Sequence, residues 1–195
     1  MHNLDLSQPL SGIHTVLKTP ILPPFPAGLQ QLQLGMGCFW GAERKLWQQP
    51  GVYSTAVGYS GGALPQPSYQ QVCSGNTGHA ETVLVIYDPR VSSLQQLLQV
   101  FFTSHDPTQG NRQGNDIGSQ YRSVCYLADP EQLTLAQQLA KQAQAELSAK
   151  GFGQITTEFG LLPTFYYAEE YHQQYLQKNP QGYCGLKGTG ITCSF

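Results

Sequence analysis

The order of strand-like and helix-like segments limits the folds open to this chain more than any other feature of its sequence. Period-two alternation and β-branched runs predict strands that end at Met36 and that cover 52–59, 81–87 and 121–127. Apolar residues at helical spacing predict helices that start near Cys38 and that cover 93–102. This order is the split βαβ pattern of ferredoxin-like α+β folds. We therefore expect a single-domain, two-layer α+β sandwich with a ferredoxin-like core.

The remaining segments lie in one long loop and at the two ends of the chain. Residues 1–28 contain several prolines and little periodicity, which predicts an extended arm on the surface of a domain formed by 29–195. Further predicted elements are a helix over 130–150 with Asp129 as its N-cap, a strand over 155–159 and a helix over 168–178. The tail 180–195 is rich in glycine and should be irregular. The loop 106–120 is long enough to suggest a functional role.

Charge and cysteine content exclude several classes of protein. The net charge is −2 and only 11% of the residues are charged, so we expect neither a nucleic-acid nor a membrane partner. The N-terminal residues lack the basic and apolar pattern of a signal peptide, which favours a cytoplasmic location. The five cysteines would then stay reduced and serve catalysis, metal binding or packing. Nothing in the sequence indicates an obligate dimer, and we expect a monomer.

The run Gly37-Cys38-Phe39-Trp40-Gly41 lies where a predicted strand gives way to a predicted helix. Cys38 would therefore stand at a helix N-terminus, where free backbone N–H groups and the helix dipole favour a negative charge. We expect these groups to lower the pKa of the thiol. A thiolate is the reactive form of cysteine, so Cys38 is a candidate nucleophile.

This run resembles the active-site motif of the peptide-methionine (S)-sulfoxide reductase family. Further blocks match in the same order, and they begin at Gly58, Gly78, His105, Gly114, Gln120 and Gly182. The resemblance extends from about Gly35 to the C-terminus. It implies reduction of methionine S-sulfoxide, free and in proteins, for repair after oxidative damage. It also implies that no cofactor is bound and that thioredoxin, or dithiothreitol in vitro, is the reductant.

Glu81 is the expected proton donor to the sulfoxide oxygen. It opens an apolar strand, where partial desolvation would raise the pKa of its carboxyl and keep it protonated. The block Gly78-His79-Ala80-Glu81 matches the family block that contains the proton-donating glutamate. Glu43 is the competing candidate, and we rank it second because the helix dipole would explain a glutamate in the first turn.

The resemblance also implies roles for five residues around the substrate. Tyr69 and Tyr121 match the tyrosines that hydrogen-bond the sulfoxide oxygen beside the glutamate. Phe39 and Trp40 match the aromatic walls that receive the methyl group of the substrate. Asp116, in the long loop, matches a residue that lines the same pocket.

Two cysteines of the tail match the family's recycling cysteines. Attack by Cys38 would leave a sulfenic acid, which a second thiol must clear. The resemblance implies a Cys38–Cys184 bond followed by a Cys184–Cys193 bond, which thioredoxin then reduces. Glycines around Cys184 should allow this segment to move.

The other reactive side chains have no role in this scheme, and rival functions use some of them. We expect Cys73 and Cys125 to be buried, inert thiols, and His79, His105 and His172 to be structural hydrogen-bonding groups. A cysteine hydrolase would instead pair Cys38 with one of these histidines. A metal-binding module would use Cys73, His79, Cys184 and Cys193, although their spacing matches no common zinc motif. A peptide-binding module without catalysis is the third alternative.

Overall fold

A seven-stranded mixed sheet runs through the computed structural model, which describes residues 4, 5 and 9–193. Its strands are β1 (Leu4–Asp5), β2 (Gln30–Met36), β3 (Val52–Ser60), β4 (Ala80–Tyr87), β7 (Ser123–Leu127), β8 (Glu158–Leu161) and β9 (Phe165–Tyr167). A separate small hairpin consists of β5 (Arg112–Gln113) and β6 (Asp116–Ile117). The helices are α1 (Phe39–Trp47), α2 (Tyr69–Cys73), α3 (Leu94–Ser104), α4 (Pro130–Ala149) and α5 (Tyr175–Lys178).

The strands follow the spatial order β1-β9-β3-β4-β2-β7-β8. The four central strands, β3, β4, β2 and β7, pair antiparallel with one another. Strand β8 lies parallel to β7, and β1 lies parallel to β9. The predicted succession of strands and helices is present as β2, α1, β3, β4, α3 and β7. The chain thus forms one mixed α/β domain.

Both faces of the sheet are covered. On one face, apolar residues of the central strands pack with those of α1, α3 and α4 in the main core. On the other face, Ile21 of the N-terminal arm packs with Leu84, Ile86 and Phe165. The arm was expected to lie on the surface, but Ile21 is only 1% exposed. The cause is the apolar outer face of the sheet, on which none of the described helices packs.

One local prediction, the N-cap of α4, is confirmed, and the predicted bounds of two other elements are wrong. Asp129 caps α4 by accepting a hydrogen bond from the backbone N–H of Gln132 at 2.8 Å. The strand expected over 155–159 lies three residues later, at β8. The helix expected over 168–178 is reduced to α5. Gln173 is responsible, since its side chain bonds the backbone N–H and C=O of Val57 as a strand neighbour would.

The segment 181–193 of the tail forms neither helix nor strand and packs over the helices. Lys150 Nζ donates to the carbonyl oxygen of Gly190 at 2.6 Å, and Gln99 Nε2 donates to that of Thr192 at 3.1 Å. At Gly188 a side chain would overlap the carbonyl of Thr103, so the close approach requires glycine. Residues 194 and 195 of the predicted tail lie outside the described residues. Within the described ranges, no helix is long and apolar enough to cross a membrane.

Candidate active site

Cys38 occupies the N-cap position of α1, as the sequence predicts. Gly37 makes the turn between β2 and this helix with a φ of +91°, and a side chain there would collide with Gln113. The Cys38 side chain makes no capping hydrogen bond. The half-buried thiol is therefore free to react.

The expected lowering of the Cys38 pKa is wrong. Burial raises the pKa of this thiol well above its ordinary range, and the nearby carboxylate of Glu81 raises it further. The backbone N–H of Trp40 lowers it, as the helix-terminus argument requires, but by less than burial raises it. The site thus holds Cys38 as a neutral thiol, chiefly because the thiol is buried.

Glu81 lies on β4 with 2% of its surface exposed. Its Oε2 accepts a hydrogen bond from the backbone N–H of Phe39 at 3.0 Å, which joins the strand to the first turn of α1. Burial raises the pKa of Glu81 to about 8, Phe39 N–H lowers it, and Asp116 raises it. The carboxyl is therefore largely protonated at pH 7, as expected for a proton donor.

Glu43 is enclosed in a different network. Its carboxylate accepts hydrogen bonds from the Thr55 hydroxyl at 3.0 Å and from the side-chain and backbone N–H groups of Gln174 at 2.8 and 2.9 Å. Burial raises its pKa to about 7, and these three donors lower it. Glu43 is also the fifth residue of α1, so the first-turn explanation of its presence is wrong. Its hydrogen bonds tie α1 to β3 and to the residue before α5.

Tyr69 begins α2 and Tyr121 ends a short 3₁₀ turn, Ser119–Tyr121. Burial raises the pKa of both phenols, and the charge of Glu81 raises both further. The charge of Cys38 also acts on Tyr121. The fold therefore brings two protonated phenols close to Glu81, although they are distant in sequence.

The two aromatic residues after Cys38 differ in exposure. The Phe39 ring is buried, with its centroid 5.9 Å from that of Tyr59 and 5.2 Å from that of His172. Trp40 is half-buried and stacks on Tyr175 at 3.9 Å between centroids. Its indole N–H donates to His172 Nδ1 at 3.1 Å. The Trp40 ring is thus held in one orientation at the edge of the site.

The hairpin β5–β6 brings Asp116 from the long loop to the site. Asp116 acts on the pKa of both Glu81 and Cys38, and its Oδ2 accepts a hydrogen bond from the Tyr183 hydroxyl at 3.1 Å. Tyr183 is followed by Cys184, which is exposed and close enough to Cys38 for its charge to raise the pKa of that thiol. Loop and tail therefore meet beside Cys38, the candidate nucleophile.

Cys193 lies apart from this group. It is fully buried in the main core, and its backbone has a φ of +47°, in the left-handed region. Burial raises the pKa of its thiol to about 12. Thr192, the residue before it, donates its backbone N–H to Glu146 at 2.9 Å. In this conformation Cys193 is a buried thiol.

A model of the family described as peptide methionine sulfoxide reductase matches residues 30–192. The chain belongs to this family. It is 60% identical to the peptide methionine sulfoxide reductase MsrA of Rhodospirillum centenum over 185 residues, which are 95% of this chain and 84% of that protein. Relatives of the same description from Pseudomonas aeruginosa are also 60% identical. The chain is an oxidoreductase of methionine sulfoxide, of the A type.

Solved structures of related proteins share the fold. Methionine sulfoxide reductase A of Corynebacterium diphtheriae aligns with a TM-score of 0.86 and 43% identity, over 95% of this chain and 90% of its own. Reduced Mxr1 from Saccharomyces cerevisiae aligns with a TM-score of 0.75 and 36% identity, over 86% of this chain and 95% of its own. Mxr1 in complex with Trx2 aligns over 82% and 93% with a TM-score of 0.50 and 22% identity.

For the other reactive side chains of the reductase, the sequence predicted the environment of most but not of all. Cys125 is buried as expected, but Cys73 is exposed at the end of α2, because this helix is too short to cover it. His79 and His105 use both ring nitrogens in hydrogen bonds, and burial lowers the pKa of each. Burial also lowers the pKa of His172 to about 4. These histidines are therefore neutral and structural.

Sequence reasoning missed Glu169, which joins three parts of the site. Its two carboxylate oxygens accept from the hydroxyl of Tyr59 and from the backbone N–H of Tyr69, both at 2.9 Å. The His172 Nε2 lies 3.9 Å from the same carboxylate. Glu169 was hidden inside a predicted helix, and no local pattern distinguishes it from its neighbour Glu170.

The geometry opposes two of the rival functions. No hydrogen bond joins Cys38 to a histidine in the described part of the chain, as a cysteine hydrolase would need. The metal-binding alternative requires Cys193 beside Cys73 and Cys184, but Cys193 is in the core and the other two are exposed. Among the described residues no group of three or more suitable side chains could hold a metal ion.

Proposed function

We propose that the reductase acts through attack of Cys38 on the sulfur of methionine S-sulfoxide, with Glu81 as the proton donor. The observation that carries this proposal is the hydrogen bond between Glu81 and the backbone N–H of Phe39. It fixes a carboxyl with a pKa of about 8 beside the first turn of the helix that Cys38 caps. A nucleophile and a protonated acid then stand on one side of the substrate.

These groups account for the protons that are transferred in the first step. Glu81 donates to the sulfoxide oxygen, and the loss of its proton is balanced by the proton that Cys38 releases on attack. Tyr69 and Tyr121 donate hydrogen bonds to the same oxygen, since their raised pKa values keep both phenols protonated. The oxygen passes to Cys38, which becomes a sulfenic acid, and methionine is released.

The aromatic residues and the loop complete the pocket in this proposal. Phe39 and Trp40 contact the methyl group, which favours aromatic faces. Asp116 lines the pocket on the side of the hairpin. We propose that free and protein-bound S-sulfoxide are both accepted, because the exposed surface beside Trp40 and Tyr171 leaves room for a peptide chain.

The second part of the cycle uses the tail. Cys184 attacks the sulfenic acid, which forms the Cys38–Cys184 disulfide and releases water. Cys193 then attacks Cys184, and thioredoxin reduces the Cys184–Cys193 bond. The exposed Cys184 can react from its present position, whereas the buried Cys193 requires release of the tail. The complex of the related Mxr1 with Trx2 supports thioredoxin as the reductant.

The proposal extends to fold and location. The sheet order β3-β4-β2-β7 supports a ferredoxin-like split βαβ core in residues 29–195, with residues 1–28 as an N-terminal arm and 180–195 as the tail that carries Cys184 and Cys193. We place the reductase in the cytoplasm as a monomer, where its five cysteines would stay reduced.

Separate S and R epimers of a blocked methionine sulfoxide test the first step, with dithiothreitol as reductant. We expect reduction of the S epimer alone, and its loss in Cys38→Ser. Reduction by this variant would remove Cys38 as nucleophile. Equal reduction of both epimers would contradict the proposed stereochemistry.

The relay is tested by changing the reductant. Cys184→Ser and Cys193→Ser should impair turnover with thioredoxin more than turnover with dithiothreitol, because a small thiol can reach Cys38 without the tail. Full thioredoxin-driven turnover by Cys193→Ser would remove Cys193 from the relay.

A further inference from the structure

A polar cavity of about 350 Å³ lies beside the Cys184 thiol. Its walls come from α1, from the end of α3 and from the tail, and its lining includes Arg44, Lys45, Gln48, Thr103, Ser104 and Cys184. The cavity therefore borders the sulfur atom that the proposed cycle exposes to a reductant.

One face of α1 builds the inner wall. Arg44 and Lys45 each lie three or four residues from both Gly41 and Gln48, so the four residues share one side of the helix. A side chain at Gly41 would stand 3.0 Å from Cys184 Sγ and 3.1 Å from Leu186 Cβ. The tail thus rests on α1 at its glycine, and the longer side chains extend beyond it toward the cavity.

The charge of this wall is positive and uncompensated. Arg44 is half-buried and Lys45 is exposed, and neither side chain has an ion pair or a hydrogen bond among the described residues. No aspartate or glutamate is among the residues that line the cavity. Because the whole chain has a net charge of −2, these two cations are a local feature and not a general property of the surface.

We propose that this cavity binds small thiols that carry a carboxylate or sulfonate group and directs them to the Cys184 sulfur. The two cations would bind the acidic group, and the thiol would then lie within the same cavity as Cys184. This inference rests on the proposed function, since it names a second class of reductant for the Cys38–Cys184 disulfide. A cavity of about 350 Å³ has the volume of a small-molecule binding site.

The reaction balances with two thiols. A thiolate attacks the Cys184 sulfur, breaks the Cys38–Cys184 bond, releases Cys38 as a thiolate that takes up a proton, and forms a mixed disulfide on Cys184. A second thiolate attacks the sulfur of the bound reductant and releases Cys184. Two thiols become one disulfide, and their two electrons restore the two cysteines.

The charge preference can be measured without any sulfoxide. In Cys38→Ser/Cys73→Ser, Cys184 is the one exposed thiol left among the five cysteines. Its reaction with three symmetric disulfides would be followed by mass spectrometry: oxidised mercaptoethanesulfonate, hydroxyethyl disulfide and cystamine, which are anionic, neutral and cationic. Each forms a mixed disulfide on Cys184 and releases one thiol. We expect the anionic reagent to react fastest, relative to its rate with free cysteine, by about tenfold at low salt.

Matched variants assign the preference to the cavity. Arg44→Gln/Lys45→Gln should abolish it, Lys141→Gln on the exposed face of α4 should retain it, and added salt should weaken it. In Cys38→Ser/Cys184→Ser, the exposed Cys73 should show no such preference. Equal relative rates for all three reagents, or a preference that survives Arg44→Gln/Lys45→Gln, would overturn the proposal. Since no step uses sulfoxide, this result is independent of whether Cys38 and Glu81 act as proposed.

Discussion

Cys38 and Glu81 form a pair whose protonation states depend on each other. An ionised Glu81 raises the pKa of Cys38, and burial keeps Glu81 protonated up to a pH of about 8. A neutral Glu81 removes that repulsion, so the form able to donate a proton is also the form that makes Cys38 easier to ionise. Ionisation of Cys38 therefore depends on the protonation of Glu81 and not on the helix terminus alone.

The rate of the sulfoxide step should therefore fall as the pH rises through about 8. The reason is that Glu81 loses the proton that it must donate. Single-turnover reduction of the S epimer, measured by quenched flow between pH 6 and 9.5 (about the range in which Glu81 titrates), checks this. In Glu81→Gln the rate should be at least about a hundredfold lower and should lack this decline. A decline that persists unchanged in Glu81→Gln would assign it to another group.

Local sequence could place Cys38 and Glu81 but could not give the sign of the Cys38 pKa shift. The helix terminus is visible in the run 37–41, whereas the burial and the facing carboxylates come from strands and loops distant in sequence. The exposure of Cys73 was missed for a related reason, since it depends on how short α2 is.

Among the elements, the first turn of α1 has two functions. It holds Glu81 through a backbone N–H, and it supports the tail at Gly41, where a side chain would meet Cys184 and Leu186. The proposed substrate chemistry and the proposed thiol recycling therefore both depend on one helical turn.

Gly41→Ala should separate these functions. Alanine suits a helix interior, so α1 should persist, but its methyl group would push Cys184 away. We expect the sulfoxide step to keep its rate while formation of the Cys38–Cys184 bond slows by about tenfold or more. Rapid quenching and mass spectrometry would show accumulation of the sulfenic acid, trapped with dimedone. No accumulation would mean that the tail does not need this close contact.

The segment between β9 and α5 also holds residues of the proposed active site in place. Glu169 holds the backbone of Tyr69 at the start of α2, and Gln174 is held by Glu43. This segment was the least predictable from sequence. Buried glutamine and glutamate side chains fix it, and Gln174 adopts a φ of +47°, which no periodic pattern reveals.

Glu169→Ala should slow the sulfoxide step by about ten- to a hundredfold, because Tyr69 loses the acceptor that places it. The KM for the S epimer should change less than kcat, and Glu169→Gln should recover part of the loss, since its amide oxygen can still accept. Glu170→Ala is the matched control, as Glu170 is ion-paired with Lys178 at 3.2 Å. An equal loss in both alanine variants would indicate a purely structural effect.

At the scale of the whole molecule, the N-terminal arm is part of the fold. The family match begins at residue 30, yet Ile21 and His14 are fully buried before it. His14 Nε2 bonds the Thr55 hydroxyl at 2.9 Å, and Thr55 in turn donates to Glu43. A chain of hydrogen bonds therefore runs from the arm to α1.

Ile21→Ala should lower the free energy of unfolding by about 2–5 kcal/mol, the cost of a cavity in a packed core. Chemical denaturation followed by circular dichroism would measure this change. Val91→Ala is the control, because Val91 is 59% exposed and should change the stability by less than about 0.5 kcal/mol. Similar small effects in both variants would show that the arm contributes little to stability.

The succession of central strands and helices was predictable because their periodic patterns face a common core. The cover on the second face was not, because the arm is proline-rich and has no period of its own. The burial of its apolar residues depends on contacts with Leu84 and Ile86, which lie on the sheet face opposite the helices.

In the proposed cycle, the burial of Cys193 limits when thioredoxin is consumed. A molecule that has met no sulfoxide keeps this thiol inside the core, away from the exposed Cys184, so no Cys184–Cys193 disulfide forms for thioredoxin to reduce. Only a molecule that has completed a repair releases the tail and displays an oxidised pair. The amount of reduced thioredoxin consumed is then set by the number of oxidised methionines and not by the amount of enzyme.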